Sequence, residues 1–294
     1  MAYMFGNFER LGDLLMRYSV AEERLWSNLR STGYDSLDEQ IGGLRPGELV
    51  VLASKYDWML PAFNLQMIEA VAIRDQNPVL HIRVGHDIRL TVGSWLMRKQ
   101  LDFAWHQSKC NNQAPDLERM EEIIKAPIYM LDAHGYSMRD LSRSINSFSE
   151  GSEQFGLIVV EGIDRLATLR DLPNTPQAAR YAFVLSELKD LAKNHACPVV
   201  TNCNLQQVFQ ERDATRVRMD FEQLVHDGAL ASAADLVLVL ETTDCIALGK
   251  PVDLHSVYSR HDFLPRIHLR YDYKTDRWLE LVANMTQCKN GKIS

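Results

Sequence analysis

Between Val51 and Leu65 the chain reads VLASKYDWMLPAFNL. An apolar, strand-like run, GELVVLA, leads in, and a helix-like run, AFNLQMIEAVAIR, leads out. A turn between a buried strand and a helix is a natural place to hold phosphate. Glycines there let backbone N–H groups close around the oxygens, a lysine neutralises their charge, and a Ser or Thr holds Mg2+. This turn has no glycine, and its only lysine, Lys55, stands too early. After Ser54 it carries Asp57, Trp58, Met59, Leu60 and Pro61 instead. Asp57 reads as a carboxylate that caps the helix N-terminus and repels phosphate. Trp58 and Met59 are expected to crowd the space a phosphate needs. Pro61 suits the first turn of a helix, where its missing N–H is no loss. The residues predict a helix that survives and a phosphate site that does not.

Other chemistry is sparse. His81, His86, His134 and His195 are scattered, without the spacing of a metal site. The five cysteines (Cys110, Cys197, Cys203, Cys245, Cys288) form no C-x-x-C pair and read as reduced, mostly buried thiols. No nucleophile–base–acid arrangement is readable. With 46% hydrophobic and 24% charged residues among 294, the chain is of ordinary globular type, and its length suits one large domain or one domain plus an extension. A net charge of −7 and a pI near 5.7 argue against a general nucleic-acid coat but leave room for a local basic groove. The N-terminus lacks the apolar core of a signal peptide, and no run is long enough to span a bilayer, so a cytoplasmic location without membrane attachment is expected.

The elements that must position the turn follow from periodicity. Short runs rich in Val, Ile and Leu at 49–53, 79–84, 128–131, 157–160, 199–202 and 236–240 read as buried parallel strands. Helical stretches such as 138–149 and 178–195 alternate with them, which predicts a doubly wound α/β sheet. After residue 241 the pattern changes: IHLRYDYKTDRWLELV alternates in period two around KTD, an antiparallel hairpin at one sheet edge. Phe8, Leu11, Leu15, Tyr18 and Leu25 recur at helical spacing over 8–28. That stripe either packs on the chain's own core or docks on a neighbouring subunit.

Several segments resemble the RecA-like motor domain of the DnaB-type replicative helicases. In STGYDSLDEQIGGLRPGELVVLA the matching residues are Leu37, Asp38, Gly42, Gly43, Leu44, Pro46, Gly47 and Glu48. KaiC-like and RadA-like proteins share that opening, so alone it says only RecA-like. APIYMLDAHGYSMRDL, FGLIVVEGIDRL, VLSELKDLAKNHACPVVTNCNLQ and FEQLVHDGALASAADLVLVL are more specific. The resemblance implies a P-loop NTPase fold, mostly parallel with a C-terminal antiparallel hairpin. It divides the chain into an amphipathic linker-type helix (1–29), a RecA domain (30–280) and a polar tail (281–294). It also implies a ring-forming, ATP-driven ancestor that moved on single-stranded DNA.

Position by position, the resemblance implies a lost ATP site. Met59, Leu60 and Pro61 stand where the family has the phosphate-loop glycine, lysine and threonine. Gly85 stands at the catalytic glutamate, and Glu161 at the Walker B aspartate, where a metal could still bind. Asn204 occupies the sensor position, and Arg260 the arginine-finger position, with a surface arginine as its bland alternative. Arg170, Arg180, Arg212, Arg216 and Arg218 fall on segments matching DNA-holding loops, but Asp171, Glu211 and Asp213 dilute their charge. Losing one phosphate-stabilising group costs roughly 10²–10³ in rate, so losing several predicts a pseudo-ATPase with neither ATP nor Mg2+. Such a protein would act by binding: to copies of itself, in a ring or otherwise, or to a DnaB-type replicative helicase, with single-stranded DNA as a further partner. An active or partner-dependent helicase subunit and a passive single-stranded nucleic-acid module are the alternatives. If only the site has decayed, Met59→Gly, Leu60→Lys and Pro61→Thr together are expected to leave the fold intact.

Overall fold

The apolar runs assemble as the parallel half of one nine-stranded sheet. A computed structural model describes residues 28–56, 58–85, 88–99, 117–149, 154–170, 175, 177–204, 233–242, 251–261 and 265–281. Its strands are β1 (Leu49–Ser54), β2 (Val79–Arg83), β3 (Ile128–Asp132), β4 (Leu157–Glu161), β5 (Val199–Asn204), β6 (Leu236–Glu241), β7 (Pro251–Ser259), β8 (Arg266–Asp272) and β9 (Arg277–Glu280). They lie in the order β3-β2-β4-β5-β1-β6-β7-β8-β9. The first six pair in parallel, and β7 to β9 pair antiparallel. β1, β2 and β4 are buried along their whole length, which is why they read as unbroken apolar runs.

The described helices are α1 (Asp35–Ile41), α2 (Met59–Glu69), α3 (Ile88–Arg98), α4 (Leu117–Lys125), α5 (Met138–Ser149), α6 (Ala167–Arg170) and α7 (Gln177–His195). α2 runs on into a π-helical turn, Ala70–Arg74. Two apolar clusters fill the two faces of the sheet. One joins Leu49, Val51, Ile82, Val160, Leu185 and Val199, the other Leu52, Phe63, Val159, Leu238, Leu269 and Trp278. The alternation of Val50, Val51 and Leu52 between these clusters is the period-two rule of a strand.

The hairpin expected around KTD is β8–β9, with Tyr271 opposite Trp278. β7 is an addition that the sequence did not announce. Its residues, PVDLHSVYS, alternate only at the start, and it pairs with β6 through a register shift between Val237 and Leu238. The three antiparallel strands do more than finish the sheet. Glu280 of β9 accepts from the backbone N–H groups of Asp35 and Ser36, at 3.0 and 2.8 Å, and so caps α1. The assembly residues Phe8, Leu11, Leu15, Tyr18 and Leu25 lie outside the described residues, as does the tail beyond 281. Among the described residues no helix is long and apolar enough to cross a membrane.

Candidate functional site

β1 ends at Ser54, at the carboxyl edge of the parallel strands, and α2 begins at Met59. The turn between them is held by its own side chains. Ser54 Oγ accepts from the Tyr56 N–H at 3.2 Å and lies 3.3 Å from Met59 Sδ. Lys55 Nζ rests 5.5 Å from the centre of the Tyr56 ring. Met59 is 0% exposed and Leu60 is 2% exposed, both within the apolar cluster of Phe63, Leu238 and Trp278. The sequence reading expected Met59 to crowd a phosphate space; its sulfur packs against Ser54 inside the turn. It points inward and has become core. Trp58 is 37% exposed and sits in an aromatic group, 5.4 Å from Tyr271 and 6.3 Å from Trp278, centre to centre. Trp278 Nε1 donates to the Met59 carbonyl at 3.0 Å, so the C-terminal hairpin braces the start of α2. Pro61 is half-buried in the first turn. Asp57 lies outside the described residues.

Glu161 ends β4 and is 2% exposed. The Asn64 side-chain amide, one turn into α2, donates to Glu161 Oε1 at 2.8 Å and to Asn202 Oδ1 at 2.9 Å. His81 Nε2 stands 3.4 Å from Oε1, and Arg83 Nε stands 3.5 Å from Oε2. Arg83 also donates to Thr91 of α3. Burial alone would raise the Glu161 carboxyl, but His81, Arg83 and the Asn64 amide outweigh it and bring it down to about 2. The Arg83 guanidinium thus already supplies a cation beside it. Asn64, His81, Arg83 and Asn202 were not singled out in the sequence as a group. A signal existed: His81 and Arg83 are polar residues inside VLHIRV, a run otherwise built for full burial.

Gly85 follows β2 in the left-handed region, at φ +69°. A Cβ there would come within 2.8 Å of Arg165 Cδ, and Arg165 donates to the Gly85 carbonyl at 2.9 Å. Arginine, and not carboxylate, covers this position. Asn204 ends β5; its side chain lies outside what is described. Arg260 is at the opposite end of the sheet. Its guanidinium pairs with the buried Asp235 at 2.9 Å, and its N–H donates to the Asp235 carbonyl at 2.8 Å. It is therefore anchored, not simply a surface arginine. Arg180 is in the first turn of α7 and Arg170 closes α6, whereas Arg212, Arg216 and Arg218 fall outside the described residues. The fold thus sets Ser54 against Met59, sets Glu161 against Asn64 of the helix that Met59 begins, and keeps Arg260 apart.

The family described as DnaB-like helicase C-terminal domain matches residues 30–255. The chain belongs to that family. The replicative DNA helicase DnaB of Mycoplasma genitalium is 20% identical over 225 residues, 73% of this chain and 46% of that protein. The Buchnera aphidicola (subspecies Baizongia pistaciae) DnaB is 24% identical over 222 residues, 71% and 46% of the two chains. This DnaB-like chain thus spans about half the length of the curated relatives it matches. Among solved structures, an isolated ATPase domain superposes with a TM-score of 0.72 at 14% identity, covering 94% of this chain and all of that one. A DnaB-like replicative helicase studied with primase gives 0.73 at 15% identity, covering 94% and 68%. These likenesses show the RecA-like fold of the DnaB-like domain.

Proposed function

We propose that this DnaB-like domain serves DNA replication or its regulation as a binding protein that has given up ATP binding and hydrolysis. The observation that carries this reading is the inward turn of Met59 and Leu60 into the core. A phosphate cradle needs backbone N–H groups free of side chains and a cation reaching the β and γ oxygens. Here two apolar side chains begin the helix, and the indole of Trp58 lies over the C-terminal hairpin. The acid that would face a metal, Glu161, is matched by Arg83 and His81 from its own chain. Gly85 offers no carboxylate to activate water. These residues do not fit a magnesium nucleotide, and we derive no hydrolytic step from them.

What remains is a helicase-like shape without its motor chemistry. We infer that it works by assembly, with copies of itself or with a DnaB-type helicase, and that the apolar stripe at 8–28 is the assembly element. Calorimetric titration with ATP and Mg2+ tests the reading directly. No saturable heat is expected up to about 1 mM nucleotide, the weak end of specific affinity. Saturable binding at about 1 μM would overturn it.

A further inference from the structure

A second concavity opens at the amino ends of the parallel strands, across the sheet from the rewritten turn. It has a volume of about 460 Å3, within the roughly 300–1,000 Å3 usual for small-molecule sites. Residues just before four strands line it: Pro46 before β1, Asn77 before β2, Gly156 before β4 and Pro198 before β5. Phe155 and Cys197 give an apolar floor, and Arg30 brings a cation.

Arg30 is built in. Its backbone bonds to Leu44 in both directions, at 2.9 and 2.7 Å, so the root of the side chain is fixed. Its Nε is buried and has no hydrogen-bond partner. The guanidinium passes over Gly156, where an added Cβ would stand 3.2 Å from Nε and 2.6 Å from Asn77 Cβ. The missing side chain at Gly156 is what leaves the cation its place. An arginine keeps its charge at any ordinary pH, and a buried N–H without an acceptor is costly. The Cys197 thiol beside it does not supply the anion: burial pushes it up to about 12, with Arg30 only partly countering. The amide N–H groups nearby donate to carbonyls, Asn77 Nδ2 to Asp75 at 2.9 Å and Gln154 Nε2 to His195 at 3.0 Å.

We propose that this cavity binds a small oxyanion, a carboxylate or phosphate group carried on an apolar body, with Arg30 as its counter-ion and Phe155 as its apolar wall. Parallel α/β sheets usually bind ligands at the carboxyl ends of their strands, so the site is separate from the nucleotide position. Its fate is independent of the ATP reading.

The test is calorimetric titration of the full chain with two probes, sodium benzoate and inorganic phosphate. We expect saturable binding of at least one, at about 1 mM or tighter, and a loss of about tenfold or more in Arg30→Gln. Whichever probe binds tighter assigns the head group. Gly156→Ala, whose Cβ would press on Asn77 Cβ and Arg30 Nε and push the cation from its place, is expected to abolish the same heat. Melting curves show whether each variant is folded. Should Arg30→Gln not fold, Arg30→Lys keeps the charge and loses the planar fork, and is expected to weaken binding in the same direction. Binding that ignores both arginine substitutions, or no saturable heat from either probe, overturns the proposal.

Discussion

Two buried carboxylates stand at opposite ends of the parallel sheet, and they are held in different ways. Asp235, at the amino end, accepts from the Leu49 N–H at 2.8 Å and from Lys189 Nζ at 2.5 Å on one oxygen, and pairs with Arg260 at 2.9 Å on the other. Lys189 reaches the Gly47 carbonyl as well, at 2.7 Å. Both carboxylate oxygens are matched at hydrogen-bond distance. Glu161, at the carboxyl end, has one close partner in Asn64, while His81 and Arg83 stand 3.4 and 3.5 Å away. Glu161 Oε2, Arg83 Nε and both His81 ring nitrogens are buried without hydrogen-bond partners. The contrast separates a carboxylate matched on both oxygens at hydrogen-bond distance from one whose cationic neighbours stand farther off. A structural ion pair closes its geometry; the group at the carboxyl end is balanced in charge but not in hydrogen bonds.

The largest expected effect breaks the apolar side of this comparison. Met59→Gly, Leu60→Lys and Pro61→Thr together would put a cavity and a charge where two side chains are now core. A cost of about 5 kcal/mol or more follows, so the triple variant is expected to unfold or to be strongly destabilised in urea. This revises the expectation that the fold would accept the change. A triple variant of unaltered stability would mean that Met59 and Leu60 are not core.

Asp235→Ala is next. It strands Lys189 and Arg260 and removes the acceptor of the Leu49 N–H, for about 4 kcal/mol of stability by denaturant titration. A loss under about 1 kcal/mol would erase the distinction between the two ends.

Glu161→Gln sharpens the other half. The folded carboxyl titrates at about 2, below its ordinary 4.5. A depressed value stabilises above 4.5 and is lost as pH falls from 4.5 towards 2. The Gln variant is therefore expected to cost about 3 kcal/mol at neutral pH, and that cost shrinks towards zero across this window. Stability of both proteins measured from about pH 7 to about pH 2 is the check. A cost that does not change with pH would show that His81 and Arg83 do not act on Glu161.

Much of the scaffold was legible because parallel strands buried on both faces must be apolar throughout. The runs at 49–53, 157–160 and 236–240 could be read within a residue or so of their ends for that reason. The hairpin at 266–280 was legible because alternation and a turn are both local. β7 was not: its partners β6 and β8 supply the hydrogen bonds that make PVDLHSVYS a strand, and its own residues carry little pattern.

The site divides along the same line. Composition at 54–61 shows which residue types stand in the turn, a single lysine at Lys55 and no glycine. It does not show which way a side chain turns. Only packing against Phe63, Leu238 and Trp278 decided that Met59 and Leu60 become core. The sequence likewise named Glu161, but its partners Asn64 and His81 lie far earlier in the chain and meet it only when β2, β4 and α2 close together. Local chemistry follows from residue identity along the chain. Burial, pairing and the state of a charge follow from what distant segments bring, and so are settled by tertiary structure alone.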